Sequence, residues 1–261
     1  MALKQLVDTG RCTSWLLRSG YRRVATLPEP ARPHLLLFAW LFPPHISGGV
    51  YRPSALVKYA RKRGWDVTVI AGSSSEPVTE AGQAMLDYVG GDVEIHRVTS
   101  PTLVPSYRFF PRIDGGTLNA LAAVDLVIQK LSSRPSAILA TGPPFHSFLA
   151  ARILGRTLDT RYILDYRDEW TLCPFDFVQK SGTDRWTEQY CLNRAAGIVF
   201  TTRSQLSHHL MNFACPSGCR TTVVPNAWEP EEARNSFLPL ELHSGKVNLA
   251  FIGNLSGHTP P

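Results

Sequence analysis

No apolar run in this sequence is long enough to cross a bilayer, and no small-residue cleavage site follows its first thirty residues, which excludes a spanning helix and a signal peptide there. Cysteine is scarce. The five in 261 residues, Cys12, Cys173, Cys191, Cys215 and Cys219, are odd in number and scattered. A chain this long does not depend on disulfide staples, so a reducing cytosol is the simpler setting. No G-x-G-x-x-G is present, which counts against a nucleotide-dependent oxidoreductase. No basic run is interleaved with aromatics as a single-strand binder needs, which counts against nucleic acid. Tight zinc-ligand pairs are also missing. The loose set His208, His209, Cys215 and Cys219 surrounds a Pro/Gly turn, so no metal is expected.

Acidic residues are the minority, 21 against 27 Lys and Arg, giving a net charge of +6. Such a balance attracts phosphorylated small molecules or anionic lipid. Part of it lies in residues 1–33, where Lys4, Arg11, Arg18, Arg22 and Arg23 surround Trp15, Leu16 and Leu17. That leader has two readings: a basic amphipathic helix making peripheral contact with the inner face of the cell membrane, or a solvated segment.

From His34 to Pro225 the chain alternates between short apolar runs and amphipathic stretches. Strands are predicted over 34–40, 66–72, 93–99, 137–141, 161–167, 197–202 and 220–225. Helices are predicted over 52–64, 117–131, 145–156, 184–195 and 204–213. Strands separated by helices make a doubly wound parallel α/β sheet covered on both faces. After it, residues 226–245 read as an acidic, proline-containing linker, and 246–261 begin with a fresh apolar strand that has nothing to pair with, as at the start of a second domain.

Ligands in such sheets bind at the carboxyl ends of the strands, so those loops carry the candidates. After the first strand come His45, Gly48, Gly49 and Arg52, with a helix start immediately behind. Backbone N–H groups, the helix dipole and a guanidinium there suit a phosphate, although two glycines can simply turn a chain. After 137–141, "GPPFHS" makes a rigid turn and sets His146 in the first helical turn, where it is either structural or cleft-facing. After 161–167, Asp165, Arg167, Asp168, Glu169 and Trp170 crowd together. Charges ending a buried strand must be paired or face a solvent cleft.

Together, "SGGVYRPSALVKYARKRGWDVTVIAG", "ATGPPFHSFLAARIL", "YILDYRDEW", "AAGIVFTTRSQLSHHL", "VVPNAWEPEE" and "LAFIGNLS" resemble the glycosyltransferases of the GT-B fold. More narrowly, the chain resembles family 4 with its subfamily-4-like N-terminal domain. The resemblance implies a Rossmann-like N-terminal half of a GT-B fold, a nucleotide-sugar donor as substrate rather than cofactor, and a glycan or lipid-linked acceptor. It also implies retention of configuration, no catalytic metal and no cofactor.

By the same resemblance, Gly48 and Gly49 fall in a glycine-rich loop near the donor diphosphate, with Arg52 beside it. Asp165, Arg167 and Asp168 fall in a cleft-lining segment, with Asp168 the catalytic candidate that orients the acceptor hydroxyl. His146 lies at another cleft-lining strand end, and Asn226 at the crossing between domains. The family's donor-binding half, with its helix-borne pair of glutamates, is not found before residue 261, so the chain alone is expected to be inactive in sugar transfer. A non-catalytic binding or partner subunit of the same fold is the alternative.

Overall fold

The computed structural model describes residues 27–73, 77–100, 116–175, 180, 182–227, 245 and 247. The leader up to residue 26 and the strand expected within 246–253, Val247 apart, lie outside the described residues, as does most of the 226–245 linker.

Seven strands form one parallel sheet: β1 (His34–Phe38), β2 (Asp66–Gly72), β3 (Glu94–Val98), β4 (Ala137–Gly142), β5 (Tyr162–Tyr166), β6 (Gly197–Phe200) and β7 (Arg220–Val223). Their order is β3-β2-β1-β4-β5-β6-β7, and each neighbouring pair is parallel. The connecting helices are α1 (Tyr51–Lys62), α2 (Glu80–Val89), α3 (Thr117–Lys130), α4 (His146–Thr157), α5 (Asp184–Leu192) and α6 (Arg203–Asn212). The doubly wound sheet expected from the alternation is therefore present.

The central strands are mostly apolar because both faces are covered. Along β1, Leu36 and Phe38 belong to one core with Ala120, Val124, Phe148 and Leu192 from α3, α4 and α5. Leu37 points the other way and packs with Val57 of α1 and Val89 of α2. Successive strand residues face opposite sides, so a single run supplies both cores.

Helix ends follow local chemistry. At the end of α1, Gly64 takes φ 79°, Gly64 N–H bonds Arg61 O at 2.9 Å and Trp65 N–H bonds Ala60 O at 3.1 Å. This pair of bonds is the Schellman arrangement, and it needs a residue without a Cβ at the left-handed position. Helix α2 is absent from the alternation read in the sequence. Thr79 caps it by accepting from Gly82 N–H, and Gly82 sits so close to the Pro44 carbonyl that a Cβ there would lie 2.4 Å from the oxygen. A glycine in the first turn and a mixed polar surface conceal a helix whose position is set by the loop after β1.

Winding reverses between β1 and β4, since the chain goes from β1 to β2 on one side and returns at β4 on the other. That reversal opens a crevice at the carboxyl ends of these strands.

Candidate functional site

The loop after β1 has its own turn, with Val50 N–H bonded to Ser47 O at 3.2 Å, and side chains from elsewhere bind its carbonyls. Arg97 of β3 donates to Phe42 O at 3.4 Å, to Gly72 O at 3.3 Å and to Pro43 O. Just after β5, Arg167 donates to Gly49 O at 2.7 Å, to Gly142 O at 3.3 Å and to Pro143 O. One guanidinium thus ties the loop after β1 to the loop after β4, across the crevice. Burial pushes Arg167's pKa down, and Asp165 and Asp168 push it back up. The carbonyl oxygens supply the hydrogen bonds that a buried guanidinium requires.

This arrangement revises the reading of the glycine pair. A Cβ on Gly49 would lie 2.5 Å from Arg167 Nη1 and 2.7 Å from Leu41 Cδ1, so Gly49 is small to let protein pack against it. Gly48 differs: no atom lies within 4 Å of where its Cβ would be, so it borders open space just ahead of α1.

Arg52 and Asp165 form a fork. Arg52 Nε donates to Asp165 Oδ2 at 2.9 Å and Nη2 donates to Oδ1 at 2.8 Å. Asp165 is 1% exposed. Arg52 Nη1 donates to Val224 O at 2.8 Å, with Pro225 O at 3.3 Å and Asn226 Oδ1 at 3.4 Å also in reach. The chain leaving edge strand β7 therefore turns inward and is fastened over β5. Sequence reading placed Arg52 toward phosphate and Asp165 on the cleft wall, whereas here each neutralises the other and both serve as anchors. Asn226 lies beside Arg52, its Oδ1 3.4 Å from Nη1.

His146 does not face the cleft. It is fully buried at the start of α4, its ring edge-on to Trp40 with centroids 4.3 Å apart. The turn Gly142–Pro143–Pro144, whose peptides before both prolines are cis, immediately precedes it. Asp168, by contrast, is exposed.

Asp168 borders an open hollow of about 370 Å³ at the carboxyl ends of β5 and β6, lined also by Glu169, Thr202, Ser204, Gln205 and His208. His208 Nδ1 and Glu169 Oε1 are 2.7 Å apart. Gln205 Oε1 accepts from Thr201 N–H and Oγ1, and Thr202 caps α6 by accepting from Gln205 N–H. Carboxylates and hydroxyls around a hollow are groups that recognise a hydroxyl-rich ligand, because the carboxylates accept from its hydroxyls and the Ser and Thr hydroxyls can both donate and accept. The His208–Glu169 pair was not legible as a pair in the sequence, since 39 positions separate its members.

The two adjacent histidines have separate surroundings. His209 is buried among Tyr166, Phe200 and Phe213, and burial lowers its pKa to about 4. Among the described residues no group of three or more His, Cys, Asp or Glu could hold a metal, and no helix is long and apolar enough to cross a membrane.

A seven-stranded parallel sheet in this order, covered by helices on both faces, defines a Rossmann-like domain. Residues 47–227 match the family described as glycosyl transferase 4-like domain, and the chain belongs to that family. No curated protein matches the chain in sequence. Solved structures similar to it include apo UGT2 of Phytolacca americana, at 14% identity and TM-score 0.44, covering 77% of this chain and 54% of that one. A sucrose-phosphate synthase from Thermosynechococcus elongatus is 11% identical with TM-score 0.45, covering 74% and 89% respectively. TcCGT1, solved in complex with UDP, is 15% identical with TM-score 0.43, covering 68% and 46%. The chain thus spans about half the length of the first and third of these proteins.

Proposed function

We propose that this domain forms the acceptor side of a glycosyltransferase that moves a sugar from a nucleotide-sugar donor to a glycan or lipid-linked acceptor, in the synthesis of surface polysaccharide or glycolipid. Family membership supports the reaction class. The observation that carries the site is Asp168, exposed at the rim of the hydroxyl-lined hollow beside the switch-point crevice.

In the reaction, the bond from the anomeric carbon to the donor's phosphate oxygen breaks and the nucleoside diphosphate departs. A new bond forms to the acceptor oxygen, whose proton is released. Asp168 orients that hydroxyl and receives the proton. The open side of Gly48 and the first amides of α1 face the departing diphosphate, where a helix N-terminus offsets negative charge. Arg52 contributes by holding the framework, since its donors go to Asp165 and the Val224–Asn226 segment. Peripheral contact with the inner face of the membrane through residues 1–30 belongs to the same proposal.

Replacing Asp168 by Asn in the full gene product tests this reading. Sugar transfer from a panel of radiolabelled sugar nucleotides to a membrane extract should fall about a hundredfold or more, with the thermal midpoint within about 2 °C of wild type. Unchanged transfer would overturn the role given to Asp168.

A further inference from the structure

Glu188 is a buried carboxylate that no step above uses. It sits on α5, 1% exposed, with its side chain turned toward the end of β5. Its Oε1 accepts from the Tyr166 hydroxyl at 3.1 Å. Its Oε2 accepts from Thr171 N–H at 3.1 Å and from Thr171 Oγ1 at 2.5 Å. Tyr166 is the last residue of β5, and Thr171 closes the loop that follows. One carboxylate therefore grips both ends of the segment 167–170, which bears Arg167, Asp168 and Glu169.

Everything else about that segment agrees with a rigid mount. Trp170 is 2% exposed and stacks on Phe145, with ring centroids 5.1 Å apart and planes 4° from parallel. Arg167 is fixed to three carbonyls. The intervening Asp168 is exposed, and Glu169 pairs with His208 of α6. A surface loop whose charged residues must stand in one place needs its backbone held from behind, and here the holding group is internal.

We propose that Glu188 is a positioning residue for sugar transfer: its carboxylate clamps Tyr166 and Thr171 together and thereby sets where Asp168 and Glu169 stand at the hollow. This rests on the glycosyltransferase reading for its functional meaning, while the clamp itself is a property of the fold.

The clamp is also sensitive to protonation. All three of its partners donate, so the ionised form satisfies them, and a protonated form must turn one oxygen into a donor. Burial pushes Glu188 up to about 7, against the opposing pull of Thr171, Tyr166 and Arg185. Among the described residues no salt bridge to a cation offsets that burial. Arg185, on the same helix, directs its guanidinium to Asn212 O and the face of Phe213. The other titratable groups around the pair are Cys191 of α5, Arg152 of α4 acting on Cys191, Cys215 after α6, and His209 of α6 against the Tyr166 ring. A glutamine at 188 reproduces the protonated form, since its oxygen can still accept from Thr171 and its amide can donate to Tyr166.

Amide hydrogen exchange and NMR titration on the whole chain test the proposal without any substrate. In Glu188→Ala, protection of the Thr171 amide should fall at least about tenfold while Ile163 and Leu164 in β5 keep theirs. Glu188→Gln should retain much of that protection. In wild type, the Thr171 amide should shift with a midpoint near neutral pH, and this transition should vanish in Glu188→Gln. Equal loss of protection through β5 and α5 would make Glu188 a general stabilising group and overturn the clamp, as would a Thr171 amide titration that survives in Glu188→Gln. Transfer assays on the full gene product complete the test: Glu188→Gln should lower kcat at neutral pH with little change in donor KM. If wild type transfers no sugar from any donor while the loop responds as described, the glycosyltransferase reading falls and the clamp stands.

Discussion

Removing Arg52 should expose how much of this domain depends on one fork. Asp165's side chain is 2% exposed and Arg52's 11%, and the two are bound through a bidentate contact at 2.8 and 2.9 Å. In Arg52→Ala the carboxylate stays buried without its counter-charge, a situation that costs about 3–5 kcal/mol. The carbonyls of Val224 and Pro225 add little to that figure, because those contacts lie at the exposed end of the guanidinium and water can replace it. In a domain of this size each kcal/mol moves the thermal midpoint by about 2–4 °C, so a fall of roughly 10 °C is expected. Arg52→Met combined with Asp165→Leu removes both charges and fills the space, and should recover most of the loss. Urea unfolding followed by tryptophan fluorescence, run on wild type, both single variants and the double variant, gives the coupling directly. An Arg52→Ala cost below about 1 kcal/mol, or a double variant no more stable than Arg52→Ala, would refute the argument that the pair is a buried, mutually dependent anchor.

The glycine pair should separate cleanly. Gly49→Ala forces a Cβ against Arg167 and Leu41 and should cost about 1–3 kcal/mol, whereas Gly48→Ala meets open space and should stay within about 0.5 kcal/mol. Thermal melts that reverse this order would return the close approach to Gly48. Two buried groups with opposite pH slopes give the last prediction. Folded His209 stays neutral down to about pH 4 while an ordinary imidazole protonates near 6.5, so its contribution is full above 6.5 and lost as pH falls toward 4. Folded Glu188 keeps its proton up to about pH 7 against an ordinary value of 4.5, so its contribution is full below 4.5 and lost as pH rises to 7. Each is worth on the order of 3 kcal/mol, and the two offset one another between those limits. Glu188→Gln should therefore unmask an acid loss of stability and His209→Phe a loss toward neutral pH, measured as unfolding free energy from pH 4.5 to 7. Parallel pH profiles for all three proteins would refute the assignment.

What the sequence determined by itself was the layout of the sheet's elements and the loops that carry its chemistry. Apolar runs such as "HLLLF" and "DVTVIAG" are local signals, and Gly64 ends α1 through bonds that reach only three and five residues back. Strand alternation with helices then leaves a doubly wound sheet as the arrangement that covers both faces, and it places Gly48, Asp168 and Asn226 at one edge. Helix α2 escaped because its first-turn glycine answers to Pro44, a residue in another loop. The partners of the charged groups were decided only by tertiary structure. Arg52 meets Asp165 across 113 positions and Arg167 meets Gly49 across 118, and no periodicity links residues that far apart. Strand order and register bring them together, and once they are packed, desolvation leaves each buried charge stable only against the group beside it. That requirement turned Arg52 and Asp165 from cleft groups into anchors, buried His146, and set Glu188 behind the loop that Asp168 occupies.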